Sequence, residues 1–175
     1  MLVLGCGAIG LGAIAAAPLN GAEVTAVDIE REKLRRAEAL GAKYAIDSKQ
    51  ENLEARAAQI TSNNGFNVVI EAVGLPETFT AAVELVAFAG RVVYIGYAKE
   101  PVAYETKFFV SKELDIKGSR NALEDDFQAV INMLSTSGVD VDSLITQRYR
   151  LEATGDALRF WDKNPTEVTK ILVQV

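Results

Sequence analysis

Near the amino terminus, Gly5-Cys6-Gly7-Ala8-Ile9-Gly10 follows the spacing G-x-G-x-x-G. The spacing alone is weak, because glycine-rich turns are common, and its meaning comes from its surroundings. The apolar run Met1 to Leu4 precedes it, an Ala- and Ile-rich stretch follows it, and Asp28 comes 18 residues after Gly10, close to the separation of about 20 at which a dinucleotide-binding acid is expected. Each residue type then has a task. Gly5 permits a tight turn from strand to helix, Gly7 lacks a Cβ and lets a pyrophosphate approach the backbone, and Gly10 lets the helix pack closely on a sheet. The helix start offers unpaired N–H groups and a partial positive charge to phosphate oxygens. Asp28 can accept both hydroxyls of an adenosine ribose and would repel a 2′-phosphate, so NAD is favoured over NADP. Ile29 and Glu30 follow it directly. Arg31 and Lys33 are near enough to work against that preference, and Lys33 is read either as a ribose ligand or as a solvated helix charge.

Little else could do chemistry unaided. Cys6 is the only cysteine and there is no histidine, which removes the commonest general base and the commonest zinc ligand. Cys6 has no base partner and is read as a small packing residue, and a lone thiol fits a reducing compartment. Glu71 and the other acids, without a zinc ion or proton relay, are read as solvated or capping groups. The net charge of −6 argues against a nucleic-acid surface, which needs clustered Lys and Arg. The early apolar stretch is broken by Pro18 and Asn20 and reads as a buried helix, not a membrane span. With no signal peptide visible, the expected location is cytoplasmic.

The elements that must position these residues alternate as strand and helix, the rhythm of a parallel α/β sheet. Strands are expected at Met1 to Leu4, Ala22 to Val27, Tyr44 to Ile46, Asn67 to Ile70, Arg91 to Ile95 and Leu114 to Lys117. Helices are expected from Ala8 to about Leu19, Glu30 to Leu40, Glu51 to Ile60, and Pro76 to about Phe88. The fold class is therefore α/β: a Rossmann fold, with a doubly wound parallel six-stranded sheet and helices on both faces. Pro18 should kink or end the first helix early. A helix at Phe108 to Glu113, another at Leu123 to Leu134, a strand at Ile145 to Tyr149, a helix at Thr154 to Trp161 and a strand at Ile171 to Val175 complete the chain. A central strand starting at residue 1 suggests a domain taken from a longer polypeptide.

Taken together, Gly5 to Gly10, Val27-Asp28 with Lys33-Leu34, Glu71-Ala72-Val73-Gly74, Arg91 to Gly96, Lys112 to Ser119 and Lys170 to Val173 resemble the medium-chain dehydrogenase/reductase family of zinc-dependent alcohol, sorbitol and threonine dehydrogenases. The resemblance covers essentially the whole chain. It implies that Gly7, Ala8 and Ile9 lie under the pyrophosphate. Asp28 and Lys33, beside Ile29, would hold the adenosine ribose, and Val73 and Gly74 would line the adenine side and the central cleft. Ile95, Gly96 and Tyr97 would meet the nicotinamide, which Ser119 and Arg120 approach again. It further implies an NAD-binding domain over residues 1–120 and a segment, 121–175, resembling the returning part of the family's catalytic domain.

The family's N-terminal catalytic domain, its catalytic zinc and its four-cysteine structural lobe have no counterpart in this sequence. No catalytic residue and no metal ligand is assigned, and zinc would belong to the missing domain. The function implied is the NAD(H)-binding part of an alcohol or polyol dehydrogenase that transfers hydride between a secondary alcohol and nicotinamide in its full-length parent. The chain alone is expected to be inactive. The alternative is a stand-alone NAD-sensing module without catalysis. A short-chain reductase is excluded, because no tyrosine has Lys four residues on. The resemblance also implies a homodimer through the edge strand near Leu114 to Lys117, and neither nucleic acid nor membrane as a partner.

Overall fold

A computed structural model describes all 175 residues. Six parallel strands form one sheet: β1 (Leu2–Leu4), β2 (Thr25–Asp28), β3 (Tyr44–Asp47), β4 (Phe66–Glu71), β5 (Val86–Tyr94) and β6 (Asp115–Gly118). Their order is β3-β2-β1-β4-β5-β6, so the chain reverses its direction of travel across the sheet between β1 and β4. The helices between them are α1 (Ala8–Ala16), α2 (Arg31–Ala39), α3 (Leu53–Thr61), α4 (Pro76–Leu85) and α5 (Lys107–Ser111). Buried side chains fall into two clusters. Leu4, Val27, Ile46 and Val69 belong to one; Val3, Ala26, Leu11, Ile14 and Leu34 belong to the other. Successive strand residues thus feed opposite faces, the alternation that a sheet covered on both sides requires. The arrangement is the doubly wound Rossmann fold expected from the sequence.

Pro18 ends α1. The helix stops at Ala16, and Pro18–Asn20 forms a single 3-10 turn closed by Gly21 at φ 78°. The ring also has a packing role, because a Cβ on Gly41 would lie 3.1 Å from Pro18 Cγ. Gly41 itself sits at φ 105°, so a side chain there would be strained and would press on the proline ring.

The boundary between α4 and β5 differs from the sequence reading. The helix does not reach Phe88; it ends at Leu85, and β5 begins at Val86. Two forces set this boundary. The ammonium of Lys112 donates to the carbonyls of Val83 (3.1 Å), Glu84 (2.7 Å) and Val86 (2.9 Å), satisfying acceptors that a helix end leaves bare. Val86 and Ala87 are then buried beside Phe66 and Gly65 instead of turning with the helix. A register shift between Phe66 and Val68 absorbs the extra residues, and Ala89 takes φ 52°.

Beyond β6 lie α6 (Glu124–Thr136), β7 (Ile145–Arg150), α7 (Thr154–Lys163) and β8 (Lys170–Gln174). β7 and β8 pair in parallel as a separate two-stranded sheet. This segment meets the main body through Val139 and Leu144, packed on the second core cluster, and through Arg36, which donates to Thr169 Oγ1 at 2.5 Å. α6 buries none of its residues; Leu123, Phe127 and Ile131 are exposed. No helix is long and apolar enough to cross a membrane.

Candidate functional site

The strand register builds the site. Leu4 is level with Val27 and Glu71, Val27 with Ile46, Glu71 with Tyr94, and Tyr94 with Gly118. The residues immediately beyond that row, at the carboxyl edge of the sheet, are Gly5, Asp28, Val73, Gly74, Ile95, Gly96 and Ser119. An open parallel sheet binds ligands at this edge, outside the point where the strand order reverses. Residues scattered over more than a hundred positions of sequence are therefore brought to one line.

The glycine loop has the expected geometry. Gly5 sits at φ 94°, and a Cβ there would meet Val73 Cγ2 at 2.7 Å. A Cβ on Gly10 would lie 1.8 Å from the carbonyl oxygen of Gly5, so only glycine lets α1 approach β1 this closely. Gly7 is different: it is the N-cap of α1, no side chain caps the helix, and a Cβ there would meet nothing within 4 Å. The N–H groups at the start of α1 thus have no side-chain cap, and the space beside Gly7 is open, with Ile9 exposed. That is a cradle suited to an anion.

Asp28 is built into the same loop. Its Oδ2 accepts from the Cys6 N–H at 2.7 Å and its Oδ1 from the Glu30 N–H at 3.0 Å. The carboxylate fixes the glycine loop to the end of β2 while keeping lone pairs for a diol. Cys6 is fully buried beneath it and also donates to the Val27 carbonyl at 3.7 Å. Burial pushes its thiol up to about 12, the Asp28 charge adds to this, and the Lys33 charge opposes it. Lys33 therefore stands within electrostatic reach of the loop.

Sequence reasoning missed part of the wall. A cavity of about 210 Å³ joins Gly5, Asp28, Ile29 and Val73 to Ser48, Leu53, Leu75, Glu77 and Thr78. Ser48 follows β3 as Asp28 ends β2, so applying the strand-end rule to the third strand would have found it. Its apolar lining and its place beside Asp28 suit a flat, half-apolar ring.

Glu71 was also underread. It caps, as expected, but it is not solvated: it is fully buried. Its Oε1 accepts from the Val73 N–H, the Gly74 N–H and the Thr78 hydroxyl, each at 2.8 Å. Gly96 packs against it so closely that a Cβ there would fall 2.2 Å from Oε2, and a Cβ on Gly74 would meet Tyr97 N at 2.9 Å. The β4 turn and the end of β5 therefore meet as bare backbones. Tyr97 is exposed beyond them. Ser119 donates its N–H to the Tyr94 carbonyl at 2.9 Å, which keeps it on the edge, whereas Arg120 is exposed beyond the strand.

A family model described as zinc-binding dehydrogenase matches residues 8–136. The chain belongs to that family. It is 30% identical over 171 residues to a zinc-type alcohol dehydrogenase-like protein of Haemophilus influenzae, covering 98% of this chain and 50% of that protein. It is 30% identical over 149 residues to L-galactonate-5-dehydrogenase of Escherichia coli, covering 85% and 44%. The chain spans about half the length of the curated relatives it matches. Among solved structures, an alcohol dehydrogenase of E. coli CFT073 complexed with cofactor NADH superposes with a TM-score of 0.90 at 28% identity, over 99% of this chain and 51% of that one. The 2R,3R-butanediol dehydrogenase of Bacillus subtilis gives 0.88 at 29%, over 99% and 50%.

The residues present suit a dinucleotide: an open N-terminal cradle at Gly7, a carboxylate with free lone pairs at Asp28 and a half-apolar cavity beside it. They do not suit zinc. No group of three or more His, Cys, Asp or Glu side chains could hold a metal ion.

Proposed function

We propose that this chain binds NAD(H) along the carboxyl edge of its sheet, as the cofactor-binding part of an alcohol or polyol dehydrogenase. The observation that carries the reading is the convergence of the uncapped helix start at Gly7 with Asp28 and the Val73–Gly74 and Ile95–Tyr97 turns at the strand-order reversal. The backbone N–H groups of Gly7, Ala8 and Ile9 bind the pyrophosphate. Asp28 accepts from the adenosine diol, with Lys33 and Ile29 flanking it. The cavity between Ile29 and Val73 takes the adenine. Gly74, Ile95, Gly96 and Tyr97 form the nicotinamide wall, and Ser119 and Arg120 close that end. When bound, the cofactor supplies a hydride acceptor and donor; the chain orients it and keeps water from one side of the ring.

In this reading residues 1–120 form the cofactor domain, and residues 121–175 belong with the catalytic part of a longer dehydrogenase acting on a secondary alcohol. Zinc, the substrate pocket and the proton route lie in that other part. Strand β6 is a free edge, and pairing two copies through it gives a homodimer and removes an exposed edge. The test is a titration with NADH and NADPH, followed by nicotinamide fluorescence. Saturable NADH binding with at least tenfold weaker NADPH binding is expected. Equal affinity for the two would transfer the decisive role from Asp28 to Arg31 and Lys33, and binding of neither would overturn the proposal.

A further inference from the structure

Glu71 carries more than a turn-capping role requires. Three donors converge on its Oε1, an arrangement that a carboxylate anion satisfies better than a neutral acid. Its Oε2 has no hydrogen-bond partner and is fully buried. No Lys or Arg pairs with the group. A buried acceptor left bare is costly, and a fold that keeps one at a ligand edge calls for an explanation. A capping oxygen alone could come from a neutral side chain. The charge is felt locally: burial chiefly raises the Tyr94 hydroxyl, with the Tyr104 hydroxyl and the Glu71 charge adding to it.

The bare oxygen lies directly behind Gly96, and Gly74 N is the next atom that a Cβ on Gly96 would meet. Only glycine backbone separates it from the wall assigned above to the nicotinamide. That ring is a cation in NAD⁺ and neutral in NADH, and a charge in a water-poor interior acts over several ångströms. We propose that Glu71 tunes the redox preference of the bound cofactor, its uncompensated charge favouring the oxidised cationic ring over the reduced neutral one. Glu71 is in this sense a positioning and electrostatic residue, acting through the Gly74 and Gly96 backbones. The inference rests on the nicotinamide assignment of Ile95 to Tyr97.

The experiment measures dissociation constants of NAD⁺, NADH and ADP-ribose for the 175-residue chain and for Glu71→Gln, which keeps an acceptor for the three donors and removes the charge. NAD⁺ is expected to weaken relative to NADH by about 3- to 10-fold; a tenfold change in that ratio is about 30 mV for a two-electron couple. ADP-ribose, which has no nicotinamide, should bind unchanged. Glu71→Asp, which keeps the charge, should retain the native ratio even if all three ligands bind less tightly. Thr78→Val removes one donor from Oε1 and should shift the ratio toward NAD⁺, which provides a test even if Glu71→Gln fails to fold. An unchanged ratio in Glu71→Gln, or an equal weakening of all three ligands, would overturn the proposal and leave the cofactor site standing. Failure of the unaltered protein to bind ADP-ribose would overturn the cofactor reading beneath it.

Discussion

Replacing Gly7 and Gly10 by alanine, one at a time, separates the binding role of the glycine loop from its packing role. At Gly7 the backbone lies at φ −71° and ψ −176°, ordinary for alanine, and a Cβ meets nothing within 4 Å. Alanine is a poorer N-cap than glycine by about 0.5–1 kcal/mol, while reduced freedom of the unfolded chain returns about 0.4–1 kcal/mol. The two nearly cancel, so Gly7→Ala should keep its urea midpoint. The added methyl, however, stands in the space where the pyrophosphate meets the first N–H groups of α1. Losing two hydrogen bonds to a charged group at about 1.5–3 kcal/mol each weakens NADH by about 100-fold or more. Gly10→Ala is the reverse case. Its Cβ would overlap the Gly5 carbonyl at 1.8 Å, and both are backbone, so α1 must move off β1 at a cost of about 3 kcal/mol or more. Urea unfolding read by circular dichroism, with NADH titration of each variant, checks both. A Gly7→Ala protein that binds NADH like the native chain would refute the cradle; a Gly10→Ala protein of native stability would refute the close packing.

Asp28→Ala leaves the N–H groups of Cys6 and Glu30 without their acceptor and should cost about 1–3 kcal/mol of stability as well as NADH affinity; unchanged melting with unchanged binding would contradict both roles. The Cys6 thiol, raised by burial from 9.0 to about 12 in the fold, should resist iodoacetamide until denaturant is added. Because the folded pKa lies above the unfolded one, this group's contribution to stability is intact below about pH 9 and is lost as pH climbs toward 12. Cys6→Ala should therefore flatten the alkaline limb of the stability profile. Lys112→Met removes the donor to three carbonyls at the end of α4 and should lower stability by about 2–4 kcal/mol in urea unfolding. Ile116, exposed on β6, should when changed to Lys convert a dimer at tens of micromolar to a monomer by light scattering; a native chain already monomeric there would remove the edge-pairing proposal.

The parts of the fold legible in sequence are those written in local chemistry. Gly5, Gly7 and Gly10 each answer a separate geometric need, and Asp28 must end a strand to serve the loop, so four residues specify a strand, a turn, a helix and a second strand. Alternating apolar runs then supply the rest of the sheet. The end of α4 was not legible, because what stops it is Lys112, more than twenty residues away, whose ammonium reaches the helix carbonyls only through the tertiary fold. Glu71 was legible as a capping acid but not as a buried one: its burial depends on Gly96 coming up behind it from another strand. Ser48 lines the cavity because β3 stops level with β2, so it was within reach of the strand-end rule once the third strand was placed beside the second. Pro18, by contrast, ended its helix where proline chemistry says it should, and its contact with Gly41 gives it a packing role that the sequence alone does not suggest.

A dinucleotide held at the carboxyl edge of the sheet would alter the backbone amides along that edge. The most direct measurement is a backbone amide spectrum of the isotope-labelled chain, recorded through a titration with NADH. Saturable shifts are expected at Gly7, Ala8 and Ile9, at Ile29 beside Asp28, at Val73 and Gly74, and at Gly96 and Tyr97, with the far ends of the strands unmoved. Shifts gathered instead in the polar cleft of Arg36, Thr146 and Glu167, or no saturable shift at millimolar NADH, would contradict binding at that edge.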